Sequence, residues 1–498
     1  MEESEIWQAG NPYRFWEILP AVLIWGTLLL LVALSFVQPL WAIYFVIIYD
    51  LFWIIRIYYL LIYLLVAWAK YRKTRKIDWC AKRESLMAWS DYQHIIFLPM
   101  VNEPFAVVDR TLTAILDNHY PSDKLYVVLA GEERAQEHFS TIVPQVEAKY
   151  ANSFKKIIIT LHPKDVPDEI IGKGSNLHYA GREVKKFVDD EGLDYDKIIV
   201  SSFDIDTCVA PNYFDYLTYL FITTPNPTHK SYQPLAFYHN NVWESDPFTR
   251  VAANSTTFWL LTDLARAERL FTFSSHSMSW RMLTDIGFWQ KDIVTEDSRI
   301  FLQGFFRYQG DYQVVPMYTY VSMNTVYMGS LWRSLVNQYK QMRRWAWGVE
   351  HLPYMIKKFK QVKGIPAFKQ FRYLWNQTEG MYSWATAPLI ITLIGRLPLW
   401  WADKYWQGNV FIQSAPLVLE KMMTIGIISM ICVAIFSLMI LPNRPSSKGW
   451  YYYPIMFLQW ILFPITFIIF GSIPAIDAQT RLALGGRFRL GFWVTEKK

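Results

Sequence analysis

Lys197-Ile198-Ile199-Val200-Ser201-Ser202-Phe203-Asp204-Ile205-Asp206 decides the fold. A short apolar run reads as a buried strand, and the acid pair places polar chemistry where the strand stops. Three similar runs precede it: His94-Ile95-Ile96-Phe97-Leu98-Pro99, Leu125-Tyr126-Val127-Val128-Leu129 and Lys156-Ile157-Ile158-Ile159-Thr160. Helix-compatible stretches lie between them, at 105–118 and 176–188. Buried strands alternating with helices predict a mostly parallel α/β sheet, in which ligands bind beyond the carboxyl ends of the strands. Residues 99–103, 130–133 and 204–206 occupy those ends.

On either side of this region the chain is apolar. Of 498 residues, 52% are hydrophobic and 17% aromatic, a composition that suits membrane segments better than a soluble enzyme. Runs at 18–37 and 41–68 are each long enough to cross a hydrocarbon core of about 30 Å, and the short link Gln38-Pro39-Leu40 predicts a helical hairpin. Glu2, Glu3 and Glu5 replace the basic start of a cleaved signal peptide, so the first run is expected to be a retained anchor. Arg56 interrupts the second run; it reads either as an arginine facing protein or snorkelling, or as a lipid or glycan contact. Lys70, Arg72, Lys73, Arg75 and Lys76 follow, which puts this end and the α/β region in the cytoplasm by the positive-inside rule.

Beyond the α/β region, lysines and arginines interleave with Phe359, Phe368, Phe371 and Trp375, as in amphipathic helices at a membrane surface or in an ordinary basic surface helix. Apolar stretches follow at 382–401, 417–441 and 453–473. Arg444 and Lys448 place a loop inside, and the basic end of the chain is also expected inside. Three full spans would leave that end outside. Pro454, Pro464 and Pro474 predict that the third stretch is irregular, giving four spans; five spans with an external tail is the alternative. The expected division is a transmembrane hairpin at 1–76, a catalytic domain at 90–350, interface helices at 351–376, a membrane region at 377–475 and a cytoplasmic tail at 476–498. The net charge of +6 is confined to a few clusters, which argues against a nucleic-acid partner. Cys80, Cys208 and Cys432 have neither disulfide-framework nor zinc spacing.

Three motifs carry chemistry. Asp204 and Asp206 have the spacing to hold a hard divalent cation at a strand end, or to form a solvated turn. Val294-Thr295-Glu296-Asp297-Ser298 offers paired acids for proton abstraction, or an N-capping cluster before the helix-like 298–304. Gln341-Met342-Arg343-Arg344-Trp345 offers a guanidinium fork for phosphate and an aromatic plane for a sugar, or a membrane-surface Arg/Trp cluster.

In this order, D-x-D, T-E-D and Q-x-x-R-W resemble the membrane-bound, inverting, processive family-two glycosyltransferases of the cellulose, hyaluronan and chitin synthase type, and the resemblance covers most of the chain. It implies an α/β GT-A catalytic domain, a Rossmann-like mixed sheet, inserted between transmembrane helices. Asp204 and Asp206 would hold Mg²⁺ or Mn²⁺. Asp297 would be the catalytic base, with Glu296 orienting neighbouring groups. Gln341 and Arg344 would meet the donor diphosphate, and Trp345 would stack under the acceptor sugar. Gly172-Lys173-Gly174-Ser175-Asn176 resembles the donor loop, with Lys173 on phosphate; its spacing is not that of a P-loop. Asn102 and Glu103 would face the nucleobase, and 273–279, with Ser275 and His276, would form the acceptor loop. Phe492-Trp493-Val494-Thr495-Glu496-Lys497 matches the gating pattern F-x-V-T-x-K, which assigns Phe492, Val494, Thr495 and Lys497 to the donor.

One place departs from the family. Where aspartates usually follow the second strand, this chain has Ala130-Gly131-Glu132-Glu133, so Glu132 would take their place at the nucleotide. The expected partners are a nucleotide-sugar donor (a UDP-sugar first), a glycan or lipid-linked acceptor, and membrane lipids. The expected setting is the plasma (inner) membrane. A synthase coupled to export, a single-addition transferase on a lipid-linked acceptor, and a non-catalytic glycan or lipid transport subunit are the three readings of the whole.

Overall fold

The computed structural model describes residues 13–405 and 409–491. Its centre is an eight-stranded mixed sheet: β1 (Gln93–Pro99), β2 (Leu125–Glu132), β3 (Lys156–His162), β4 (Ile198–Ser202), β5 (Cys208–Val209), β6 (Lys230–Phe237), β7 (His276–Ser279) and β8 (Gln313–Ser322). The strand order is β3-β2-β1-β4-β7-β6-β8-β5. The first four strands pair in parallel, and the four apolar runs are these strands. The interior of β1 and all of β2 and β4 are buried, because helices cover both sheet faces.

The chain turns from one side of β1 to the other between β3 and β4. The crevice beyond the carboxyl ends of β1 and β4 is therefore the place where the topology opens a ligand site. Two strands run further than their apolar runs predict. β2 continues through Glu132, which pairs with His162 of β3, so the departing acid lies in the ladder rather than in a loop. Gly131 allows this: a Cβ there would lie 2.6 Å from the Phe139 ring, so only glycine lets the following helix pack flush.

The other half of the sheet is antiparallel where it joins: β7 pairs antiparallel with β4 and with β6, β8 runs parallel to β6, and the short β5 closes the edge against β8. The result is the expected α/β mixed sheet of the GT-A class, set between apolar helices.

Four helical stretches among the described residues are long and apolar enough to cross a membrane: Arg14–Val37, Pro39–Thr74, Val410–Met439 and Tyr452–Leu484. A fifth would be the pair Ala367–Thr392 and Ile394–Ala402, which bends by 43°. The first two form the expected hairpin, and Leu29, Leu30, Ile48, Ile55 and Ile62 point outward from it. The third C-terminal stretch is irregular, passing from α-helix through 3₁₀ and π turns at Gln459–Leu462 and Ile468–Ser472. The sharp bend falls elsewhere, in the first of the three stretches, after Pro388 and at Leu393. Arg56 faces protein: its guanidinium pairs with Glu379 and lies over the Trp53 ring.

The helix Ala367–Thr392 reaches the α/β domain as well. Gln377 donates from Nε2 to the Gly348 carbonyl at 2.7 Å, just past the helix Leu331–Ala346 that carries Gln341 to Trp345.

Candidate active site

Asp204 and Asp206 sit in the turn that leaves β4. Phe203 N–H still bonds the Phe97 carbonyl, and Thr207 N–H closes the turn onto the Asp204 carbonyl. Asp206 is buried and faces inward. Its Oδ2 accepts from the Asn324 amide at 2.9 Å, and its carbonyl accepts from Asn240 Nδ2 at 2.8 Å. The acid turn is thereby tied to the segments following β6 and β8, which no local reading of the sequence contains.

Lys173 opens the helix Lys173–Asp190 rather than sitting in a free loop. Gly174 beside it is required by close approach: a Cβ would meet the Gln290 carbonyl at 2.9 Å and Glu296 Cβ at 3.3 Å. The helix start is thus pressed against the Thr295-Glu296-Asp297 segment. Lys173 Nζ donates to Asp204 Oδ1 at 2.7 Å and to both Asp297 oxygens at 2.9 Å, with Glu296 Oε1 at 3.7 Å. Three carboxylates from two elements surround one ammonium from a third. Burial disfavours that ammonium's charge, but Asp204, Asp297 and Glu296 outweigh it and hold the Lys173 pKa above its ordinary value. Burial, then the neighbouring Asp297, pushes the Glu296 carboxyl well above the usual carboxylate range, against the pull of Lys173 and Arg344.

Glu296 and Asp297 occupy the first turn of the helix Glu296–Arg307, where the helix dipole favours carboxylates. They are more than a cap. Thr295 makes no side-chain cap bond; its hydroxyl donates to Glu350 instead. Asp204 and Asp297 retain 26% and 22% side-chain exposure, against 4% for Glu296, so the first two face the opening and the third lies behind them.

The loop before β7 supplies the far wall. Ser274 Oγ donates to Asp204 Oδ2 at 2.7 Å, a contact the sequence reading missed in favour of its neighbour. Ser275 turns its hydroxyl inward to Thr207 at 2.8 Å. The difference comes from Ser275 holding a left-handed φ of 65°, a strained conformation of the kind that gathers at functional sites. His276 is fully buried, its Nδ1 2.8 Å from the Phe273 carbonyl and 4.0 Å from Asp297 Oδ1. Burial lowers its pKa, which favours the neutral ring behind Asp297.

The two arginines of the Gln341 motif part company. Arg343 donates to Asp477 at 2.9 Å. Arg344 acts electrostatically on Glu296 and on Tyr238, whose ring lies 6.5 Å from that of Trp345. Gln341 Oε1 accepts from Gln338 at 3.4 Å on the same helix.

At the sheet's other rim, Asn102 is exposed and Glu103 is buried, its Oε2 accepting from the Val101 amide at 2.7 Å. Glu132 pairs with Arg134 Nε at 2.6 Å, and burial raises its pKa. Phe492, Val494, Thr495 and Lys497 lie outside the described residues. The last described turn lies against the first helix, where Arg489 bonds both oxygens of Glu17.

A divalent cation could reach the acid turn through Asp204, whose Oδ1 accepts from Lys173 and whose Oδ2 accepts from Ser274, whereas Asp206 faces inward. Asp204 is partly exposed at the opening, and Asp206 lies two residues on. Among the described residues no group of three or more His, Cys, Asp or Glu forms a ready-made cage. An ion there would draw its remaining ligands from water and phosphate, as hard cations commonly do.

The family profile described as "Glycosyl transferase family group 2" matches residues 199–470. No curated protein sequence matches the chain. Among solved structures, the chain is similar to the mannosyltransferase PcManGT from Pyrobaculum calidifontis in complex with GDP-Man and Mn²⁺, at 14% identity over 82% of this chain and 99% of that one, with a TM-score of 0.42. It is also similar to S. aureus TarS in complex with UDP-GlcNAc, at 10% identity over 67% of this chain and 90% of that one, with a TM-score of 0.37.

Proposed function

The chain belongs to glycosyl transferase family group 2, and on that premise we propose that it transfers a sugar, with inversion, from a nucleoside-diphosphate sugar to a growing glycan at the membrane. The observation that carries this reading is the meeting of Asp204, Glu296 and Asp297 around Lys173. An acceptor hydroxyl attacks the anomeric carbon from the face opposite the diphosphate. The new C–O bond forms, the anomeric C–O bond breaks, its electron pair leaves with the diphosphate, and the hydroxyl proton passes to Asp297. Asp297 is the partly exposed acid of its pair, within reach of an incoming hydroxyl, and the neutral His276 adds no competing charge behind it.

Lys173 and Arg344 meet the diphosphate, the first as a point charge and the second as a fork. Trp345, with Tyr238 beside it, is the platform for the acceptor sugar. Asp204 and Asp206 would hold Mg²⁺ or Mn²⁺, which would supply positive charge against the leaving diphosphate. Asn102, Glu103 and Glu132 line the nucleoside end. The apolar helices hold the chain in the inner membrane, with the catalytic domain on the side of Lys70 to Lys76.

The test is nucleoside-diphosphate release by the full chain in detergent and in native membrane vesicles, with UDP- and GDP-sugars and Mg²⁺ or Mn²⁺. Release with one donor is expected, with product that lengthens over time. Release with lipid-extractable product of one added sugar would replace the growing glycan by a lipid-linked acceptor. No release with any donor in vesicles, where acceptor and partners remain present, would overturn the reading.

A further inference from the structure

The segment bearing Asp297 is held from behind by residues with no part in the reaction proposed above. The turn Trp347–Glu350 follows directly on the helix that carries Arg344 and Trp345, and Glu350 is buried within it. One Glu350 oxygen accepts from the Thr295 hydroxyl, and the other accepts from Trp347 Nε1 at 2.9 Å. Next to it, His351 Nδ1 accepts from Arg299 Nε at 3.2 Å. That fixes the tautomer: Nε2 carries the hydrogen and donates to Ser298 Oγ at 2.8 Å. Arg299 is fully buried, donates to Gln290 at 2.8 Å and stacks 3.8 Å over the Tyr354 ring.

Residues 295, 298 and 299 are therefore gripped on one side, while 296 and 297 face Lys173 on the other. From this geometry we propose that Glu350 is a positioning residue that fixes the Asp297 carboxylate relative to the Arg344–Trp345 platform. The inference rests on the reading of Asp297 as the base. Its physical content is that acid and platform form one rigid unit. The turn Trp347–Glu350 joins the Trp345 end through the backbone and the Thr295 end through a side-chain hydrogen bond. An error of about 1 Å at a reacting group costs on the order of a hundredfold in rate, so a residue that sets this spacing is visible in kcat. Burial raises the Glu350 pKa, so a neutral group suits the pocket, and glutamine can serve there: its oxygen accepts from Trp347 while its amide donates to Thr295.

The test compares the full-length wild type with Glu350→Gln, Glu350→Leu and Thr295→Val in detergent, reading kcat and donor KM from nucleotide release and amide hydrogen exchange over 293–300. Glu350→Leu is expected to lower kcat by about a hundredfold while donor KM moves less than about threefold. Glu350→Gln is expected to restore kcat to within about fivefold of wild type, and Thr295→Val to lower it by about tenfold. Exchange over 295–299 should rise by about tenfold or more in Glu350→Leu, with the β1 and β4 amides unchanged. A merely structural residue would lower the folded fraction and leave kcat per folded molecule intact. Unchanged kcat in Thr295→Val and unchanged exchange over 295–299 in Glu350→Leu would overturn the proposal. If Glu350→Leu does not fold, the Thr295→Val and Glu350→Gln pair decides it. If the wild type turns over no donor, the reading of Asp297 fails on its own, and the exchange arm still reports whether Glu350 holds the segment.

Discussion

Two charged clusters flank one helix, and their balance is opposite. Around Lys173 three carboxylates share one ammonium. Around Asp477 one carboxylate is shared by Arg343 at 2.9 Å, Arg481 at 2.6 Å and the Tyr339 hydroxyl at 2.9 Å. Arg343 and Arg344 are chain neighbours, and a helix turns about 100° per residue, so one reaches each cluster. The Asp477 cluster is internal: its carboxylate is bonded by Arg343, Arg481 and Tyr339, and it clamps the helix Leu331–Ala346 to the last helix. The Lys173 cluster groups three acids at an opening, two of which, Asp204 and Asp297, are partly exposed. The difference separates a clamp from a site: the Asp477 groups bond one another across two helices, whereas Asp204 and Asp297 face an opening where a ligand can enter.

Breaking the first cluster should cost most. Lys173→Met removes the ammonium bonded to Asp204 and Asp297, and with it the proposed phosphate contact, so turnover is expected to fall by about 10²- to 10³-fold, read from nucleotide release. Lys173→Arg should recover part of this loss. Asp204→Asn tests the proposed cation site rather than the phosphate contact. The concentration of Mn²⁺ needed for half-maximal release should rise by about 10- to 100-fold.

The second cluster should answer in stability instead of rate. Arg343→Met and Asp477→Asn, singly and together in an unfolding cycle, are expected to couple by about 1 kcal/mol, because the pair is only partly buried. Turnover by Arg343→Met should stay within about threefold of wild type. A hundredfold loss there would erase the contrast between the two clusters.

A further effect lies outside both clusters, leaves turnover aside and is read against pH. His94 is buried in β1 with Thr218 as its hydrogen-bond partner, and burial, with Arg83 adding to it, drops its pKa to about 3. Its folded pKa lies below its unfolded one, so the stability it contributes is complete above pH of about 6.5 and is lost as pH falls toward 3. Below pH 6.5 the stability difference between wild type and His94→Asn should shrink by up to about 1.4 kcal/mol per pH unit, read from unfolding midpoints.

The parallel half of the sheet was legible because its strands are apolar on both faces. The other half was not. β7 reads His276-Ser277-Met278-Ser279, a polar sequence that is nonetheless buried. β6 and β8 carry Pro234 and Pro316, which argue against strands in sequence; here the ladder shifts register at Pro234 and absorbs them. In the site, D-x-D, T-E-D and the lysine loop could be found because each motif is local. Ser274 could not be separated from Ser275, since the choice depends on one left-handed residue. The partners of Arg343 and Thr295 lie 134 and 55 residues away, and no spacing rule reaches that far.

The most direct measurement is donor binding and nucleotide release, side by side, in wild type and Asp297→Asn. The substitution keeps the shape of the side chain and removes the base. Binding within about threefold of wild type and release lower by about 10²- to 10⁴-fold is the predicted result. Release that survives in Asp297→Asn would remove that residue as the base, and with it the assignment of the Lys173 cluster as the place where the sugar is transferred.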